Sequence, residues 1–180
     1  MSTQTLMSTS EFAAIALASD QRIELVDGEI VEMSPVSLQH SRIVGKIVTR
    51  LTEWAEQGAG GMVGTELGFN LGPQTTRAAD GYYLSPERSA GMEDYDGFWE
   101  GAPDLAVEVI SPTERASEIE EKIVDYMQAG TRLMWIIYPR LRTIHVIRPS
   151  QPRHILGADA TLEAPDVLPG FSLAIAALFV

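Results

Sequence analysis

The sequence predicts an α/β protein, and three stretches carry that prediction. Two apolar runs, Leu105 to Ile110 and Leu133 to Ile137, flank a segment patterned as a helix, which makes a strand–helix–strand unit. Arg22 to Val26 and Glu29 to Met33 alternate apolar and polar residues around Asp27-Gly28, a strong hairpin signal because both central turn positions need positive φ. Ser37 to Gln57 repeats apolar residues at helical spacing. The chain has 180 residues, is 45% hydrophobic and contains no cysteine, so one domain with a sizeable core is expected over residues 1–180, without disulfides or thiolate metal sites.

In chain order, Ser10 is a candidate cap for a short helix through Ala18, with Glu11 in its first turn. After the hairpin, the helix of Ser37 to Gln57 places Ile43, Ile47, Leu51 and Trp54 on one face. Arg42, Lys46 and Arg50 recur every fourth residue beside that face, either as a solvated stripe or as a track for phosphate groups. Gly58 to Gly61 breaks the helix. Met62 to Leu71 reads as a strand carrying Glu66, and Ala79 to Leu84 as a short strand with Asp80 near its start. Residues 85–100 read as a polar loop rich in acids, among them Glu93, Asp94 and Asp96.

The strand from Leu105 holds one acid, Glu108. Burying a carboxylate costs several kcal/mol, roughly, unless something pairs with it. Asp104 shares its strand parity, but four residues of strand separate the two by roughly 13 Å, too far to share one ion. Partners on neighbouring strands, Asp80 or Glu66, suit Glu108 better. Ser117 and Glu120 form a capping-box pattern, so a helix starts near Ser117, with Ile119, Ile123, Tyr126 and Met127 as its apolar face. Lys122 falls on the rim of that face, where it either pairs along the helix or reaches back toward Glu108. Acids with a lysine and no cysteine match the needs of metal-assisted phosphodiester hydrolysis. The tail, Phe171 to Val180, is apolar.

The formal net charge of −12 argues against a protein that coats nucleic acid, though an enzyme acting on it needs only a local basic track. No apolar run reaches the length of a membrane span, and the N-terminal residues lack a signal-peptide pattern, so a cytoplasmic location without membrane attachment is expected.

Several segments together resemble a known family. They are ELVDGEIVEMSP, His40 opening a helix, ELGFNL, RAAD, PDLAVEVISP, Lys122 and Tyr126 four apart, WIIYP and LPGF. This order is similar to the restriction-endonuclease-like (Uma2-type) proteins of the PD-(D/E)XK nuclease superfamily. The resemblance implies a restriction-endonuclease-like core, a mixed β-sheet flanked by helices, here with an N-terminal hairpin. It implies Asp80, Glu108 and Lys122 as catalytic residues, with Asp80, Glu108 and Glu66 around Mg²⁺ or Mn²⁺. It further implies DNA as substrate and a homodimer, for which the apolar tail and the hairpin offer surfaces. Ala79 stands where the family has proline, and Tyr138 where it has aspartate. The leading expectation is a metal-dependent endonuclease. The alternatives are a silent nuclease-fold protein that binds nucleic acid or protein, and a structural or regulatory dimer of a mobile-element system.

Overall fold

The structure is a computed structural model and describes residues 6–91 and 97–180. Glu93, Asp94 and Asp96 of the expected acidic loop lie outside the described residues. The chain begins with helix α1 (Thr9–Ala16), hairpin strands β1 (Ile23–Val26) and β2 (Glu29–Glu32), and helix α2 (Leu38–Trp54). Strands β3 (Met62–Gly64), β4 (Gly68–Gly72), β5 (Thr75–Ala78) and β6 (Gly81–Leu84) follow, then helix α3 (Pro86–Ser89) and strand β7 (Trp99–Glu100). The second half holds β8 (Leu105–Val109), α4 (Ala116–Gln128), β9 (Leu133–Tyr138), β10 (Thr143–Ile147) and β11 (His154–Leu156). Strands β12 (Thr161–Ala164) and β13 (Leu168–Ala174) and a 3-10 helix (Ile175–Phe179) complete it.

Two mixed sheets organise these elements. The first runs β2-β1-β5-β4-β7, the second β11-β10-β9-β8-β6-β3, and β12 pairs with β13 alone. In the second sheet β8 and β9 are parallel, joined through α4 as the strand–helix–strand pattern requires. The hairpin turn is as expected, with Asp27 at φ 49 and Gly28 at φ 80. The stretch Met62 to Leu71, read as one strand, is two: β3 pairs with β6 and β4 with β5, in different sheets. Glu66 marks the break, since it adopts φ 59 in a bend between them. Asp80 likewise occupies the crossing between β5 of the first sheet and β6 of the second.

Strand parity divides the core. Leu105, Val107 and Val109 of β8 point toward α2, where Ile43, Ile47 and Leu51 pack. Ala106 points the other way, to Ile119, Ile123 and Tyr126 of α4. The first sheet lies against the far side of α4, where Arg77 of β5 bonds Asp125 at 2.9 Å. Helix ends differ from the sequence reading by a residue or two. Ser8, not Ser10, caps α1, in a capping box with Glu11. Helix α4 starts at Ala116 because the Glu118 carboxylate accepts the Arg115 N–H at 2.8 Å, the role expected of Glu120. Its other end closes on Gly130 at φ 99, with Thr131 N–H donating to the Tyr126 carbonyl at 3.0 Å.

The apolar tail is a correction. Leu173, Ile175 and Leu178 are buried in the α2-side core, so this chain covers the surface that the sequence offered to a second copy. Among the described residues no helix is long and apolar enough to cross a membrane.

Trp135, at the middle of β9, is fully buried with its ring 5.6 Å from that of Phe171. Trp135→Ala is expected to cost about 3–5 kcal/mol in urea unfolding, and a loss under about 1 kcal/mol would contradict this packing.

Candidate functional site

The register of β6 against β8 pairs Gly81 with Val107, which sets the preceding residue, Asp80, opposite Glu108. Gly81 lets β6 and α2 come close: a Cβ there would lie 3.2 Å from Val48 of α2. That close approach also brings the first turn of α2 to the acid. His40 Nε2 donates to Asp80 Oδ1 at 3.1 Å, and the Val109 N–H donates to Asp80 Oδ2 at 2.7 Å. Glu108 is held from the other side, by α4. Lys122 Nζ donates to Glu108 Oε2 at 2.9 Å and contacts Glu114 Oε1 at 3.1 Å. Lys122 is therefore buried rather than a surface lysine, its stem lying along the apolar rim of α4. The second oxygen, Glu108 Oε1, is buried and has no hydrogen-bond partner among the described residues.

Sequence reasoning missed a second layer. Glu24 of β1 is buried, accepts the Ala78 N–H at 3.0 Å and Arg77 Nη1 at 3.0 Å, and so braces the backbone just before Asp80. Arg77 in turn reaches Asp125 of α4, at 2.7 Å through Nη2. Nothing local marks Glu24 for burial, because hairpin alternation puts it on the polar face. Only the docking of the first sheet against α4 takes that face out of water. Glu114 was also missed, since it lies in the irregular connection before α4.

These groups line a cavity of about 310 Å³ between the two sheets and α4. Carboxylates outnumber cations around it, seven to three, Glu32, Glu118 and Glu121 being among the seven. The excess has a direct consequence for Glu108. Desolvation, opposed by Lys122 and reinforced by Asp80 and Glu24, pushes its carboxyl up to about 8. Burial would strip the proton from Lys122, but Glu108, Glu24 and Glu114 more than offset it, so its pKa is raised and the ammonium stays charged. The Tyr126 hydroxyl beneath them is buried and raised for the same reasons, desolvation first and the acids second.

The other expected site residues lie elsewhere. Glu66 lines a smaller cavity that adjoins the acid cavity through Arg22, Glu24, Met33 and Arg77, and its half-exposed carboxylate bridges Arg22 at 3.3 Å. Its left-handed backbone turns it away from the strand position that would have faced Glu108. Arg42 donates to the main-chain oxygen of Val180, just after the 3-10 helix, at 3.3 Å and Lys46 to that of Ala177 within it at 2.9 Å, while Arg50 pairs with Glu53. None of the three lines the acid cavity. Asp104 is separate as expected, bonded by the Ser85 N–H at 2.8 Å. Tyr138 packs at a tilt against His145, with centroids 4.4 Å apart.

Among the described residues no three acids and imidazoles are gathered so as to enclose a metal ion by protein ligands alone. The donors that do converge are two carboxylates. A hard cation such as Mg²⁺ is commonly held by one or two carboxylates with the rest of its shell water. The free oxygen of Glu108 and the remaining lone pairs of Asp80 fit that mode.

A family model described as "Putative restriction endonuclease" (Uma2) matches residues 9–176. Among solved structures, a crystal structure of a putative nuclease from Anabaena variabilis superposes with a TM-score of 0.83. It is 22% identical, and the match covers 96% of this chain and 97% of that one, which establishes a shared fold. No match is found among curated proteins.

The raised Glu108 carboxyl gives stability a defined pH dependence. Between its ordinary value of 4.5 and about 8 the unfolded chain gives up this proton while the folded chain keeps it. The unfolded state then binds fewer protons, so this group's contribution to stability falls as pH rises through that window. Without divalent cations, thermal midpoints of the wild type minus those of Glu108→Gln should decline from pH 5 to pH 8. A flat difference would remove the basis for the raised carboxyl.

Proposed function

We propose that this chain, which belongs to the Uma2 family of putative restriction endonucleases, is a divalent-cation-dependent endonuclease that hydrolyses phosphodiester bonds of DNA. The observation that carries the reading is Glu108: buried in a central strand, bound through one oxygen to a buried lysine, and with its other oxygen unpartnered beside Asp80. A carboxylate so placed has no structural need that a hydrophobic residue would not serve as well.

In this reading Asp80 and Glu108 hold Mg²⁺ or Mn²⁺. The cation supplies Lewis acidity toward the phosphoryl group and a nucleophilic water at neutral pH. The chain's own groups do the remaining work. His40 and the Val109 N–H fix the Asp80 carboxylate in one orientation. Glu24 and Arg77 hold the main chain that delivers it. The acids around Lys122 raise its pKa, which suits the ammonium to neutralising charge that develops on the phosphoryl oxygens. Glu108 must shed its proton when a cation binds, so cation affinity and cleavage both rise with pH toward about 8. Glu66 has no part in this set. For the homodimer, the support that remains is the outer edge of β2, where Ile30 and Val31 are exposed.

The test is nicking of supercoiled plasmid together with calorimetric titration of Mn²⁺. Glu108→Ala should lose both cation binding and nicking. Lys122→Met should fold, because the stem's volume is kept and Glu108 can take up a proton in place of its partner. It should still bind Mn²⁺, while nicking falls by about 10²–10³-fold. A Lys122→Met protein as active as wild type would sink the assignment.

A further inference from the structure

The acid cavity raises a problem that the proposed function leaves open. Its carboxylates outnumber its cations, the chain as a whole carries −12, and the basic stripe of α2 is turned toward the 3-10 helix segment. A nucleic-acid backbone needs a cationic seat next to the cavity. The β9–β10 turn provides one. It runs Pro139-Arg140-Leu141-Arg142 and is held tight by the pairing of Tyr138 with Thr143 and by Arg142 at φ 53.

Most arginines of this chain are committed. Arg77, Arg88, Arg132, Arg148 and Arg153 all hold carboxylates. Arg140 is exposed and makes no hydrogen bond or ion pair among the described residues. It lines a second cavity, of about 260 Å³, that shares His40 and Ser111 with the acid cavity. The two cavities therefore adjoin, with the His40 ring as a common wall. On this wall the ring bonds Asp80 through Nε2, and its Nδ1 is buried with no partner. The start of α2 forms another side of the second cavity through Ser37, Gln39 and His40, with the His40 N–H capped by the Ser37 hydroxyl at 3.2 Å. Arg142 extends the charge outward over the Phe179 ring, at 5.8 Å. Leu141 between the two arginines is 68% exposed, although it is apolar.

We propose that the Arg140–Arg142 turn and the start of α2 bind the DNA backbone, with Arg140 taking a phosphate that neighbours the one lodged at Asp80 and Glu108. Arg140 is the positional determinant and Arg142 the outer contact. The subsite has the chemistry for an anion: an exposed guanidinium with unused donors beside the polar side chains of Ser37, Gln39 and Ser111. The acid cavity next to it has the chemistry for a cation. One backbone would span both, which is why a protein this acidic can hold a polyanion at all. This rests on the nuclease reading for what happens at the acids, and on its own geometry for the contact.

The experiment is fluorescence anisotropy of a labelled duplex oligonucleotide with the full chain, in Ca²⁺, across a NaCl series. It compares Arg140→Gln with Arg153→Gln, which removes the same charge outside both cavities. Arg140→Gln should weaken binding several-fold and lower the slope of log K against log salt by about one, the signature of one lost phosphate contact. Arg153→Gln should leave both unchanged. Adding Arg142→Gln to Arg140→Gln should deepen the loss. In plasmid nicking with Mg²⁺, Arg140→Gln should raise the DNA concentration for half-maximal rate and leave the maximal rate nearly as it was. Equal behaviour of Arg140→Gln and Arg153→Gln overturns the proposal, as does a wild type with no affinity for the duplex. A wild type that binds with this arginine dependence but cleaves under no divalent metal overturns the nuclease reading and leaves this contact standing.

Discussion

The structure depends on one constraint: Glu108 is buried in the centre of a sheet, and a buried carboxylate must be answered. Lys122 gives the answer through a 2.9 Å contact, made from an α4 that Ile119, Ile123 and Tyr126 pack against the sheet. The helix must sit directly over its own parallel strand pair, with its start close enough for Glu114 to share the ammonium at 3.1 Å. An apolar pair could hold the same two elements together at no greater cost, so the charges are retained against the interest of stability alone. That is the physical case for reading them as function.

The same constraint spreads outward. One lysine cannot compensate Glu108, Asp80 and Glu24 together, so each of the other acids has its own donors. Asp80 is fixed by His40 and a main-chain N–H, Glu24 by Arg77 and another main-chain N–H. Arg77 ties Glu24 to Asp125 of α4 and so joins the N-terminal sheet to the helix that carries the lysine. The network is therefore mechanical as well as electrostatic. The side chains that set the charge of the cavity also fix the relative placement of its walls.

Charge is distributed with the same logic on a larger scale. Acids line the cavity and leave Glu108 under-compensated, which suits a site that takes up a cation. Cations elsewhere are largely consumed by ion pairs and by main-chain carbonyls of the 3-10 segment. Arg140, on the β9–β10 turn and lining the adjoining cavity without an ion pair, stands out against that background.

Much of this was legible in the residues. The strand–helix–strand unit, the Asp-Gly hairpin and the face of α2 follow from periodicity and turn chemistry, which are local properties. Glu108 was legible as an acid in an apolar run, and Lys122 as a rim lysine one short connection away. What sequence could not supply was set by contacts between distant segments. Glu66 and Asp80 look alike in sequence, each an acid in or beside an apolar run. Yet a positive φ sends Glu66 to Arg22, while pairing to β8 sends Asp80 to Glu108. The apolar tail looked like an exposed surface until its own α2 covered it. Glu24 reads as a solvent-facing hairpin residue and becomes the brace of the site only when two sheets close on α4. Periodicity fixes which face of an element is apolar. What lies across from a polar face is decided by which elements dock, and docking is a property of the whole chain.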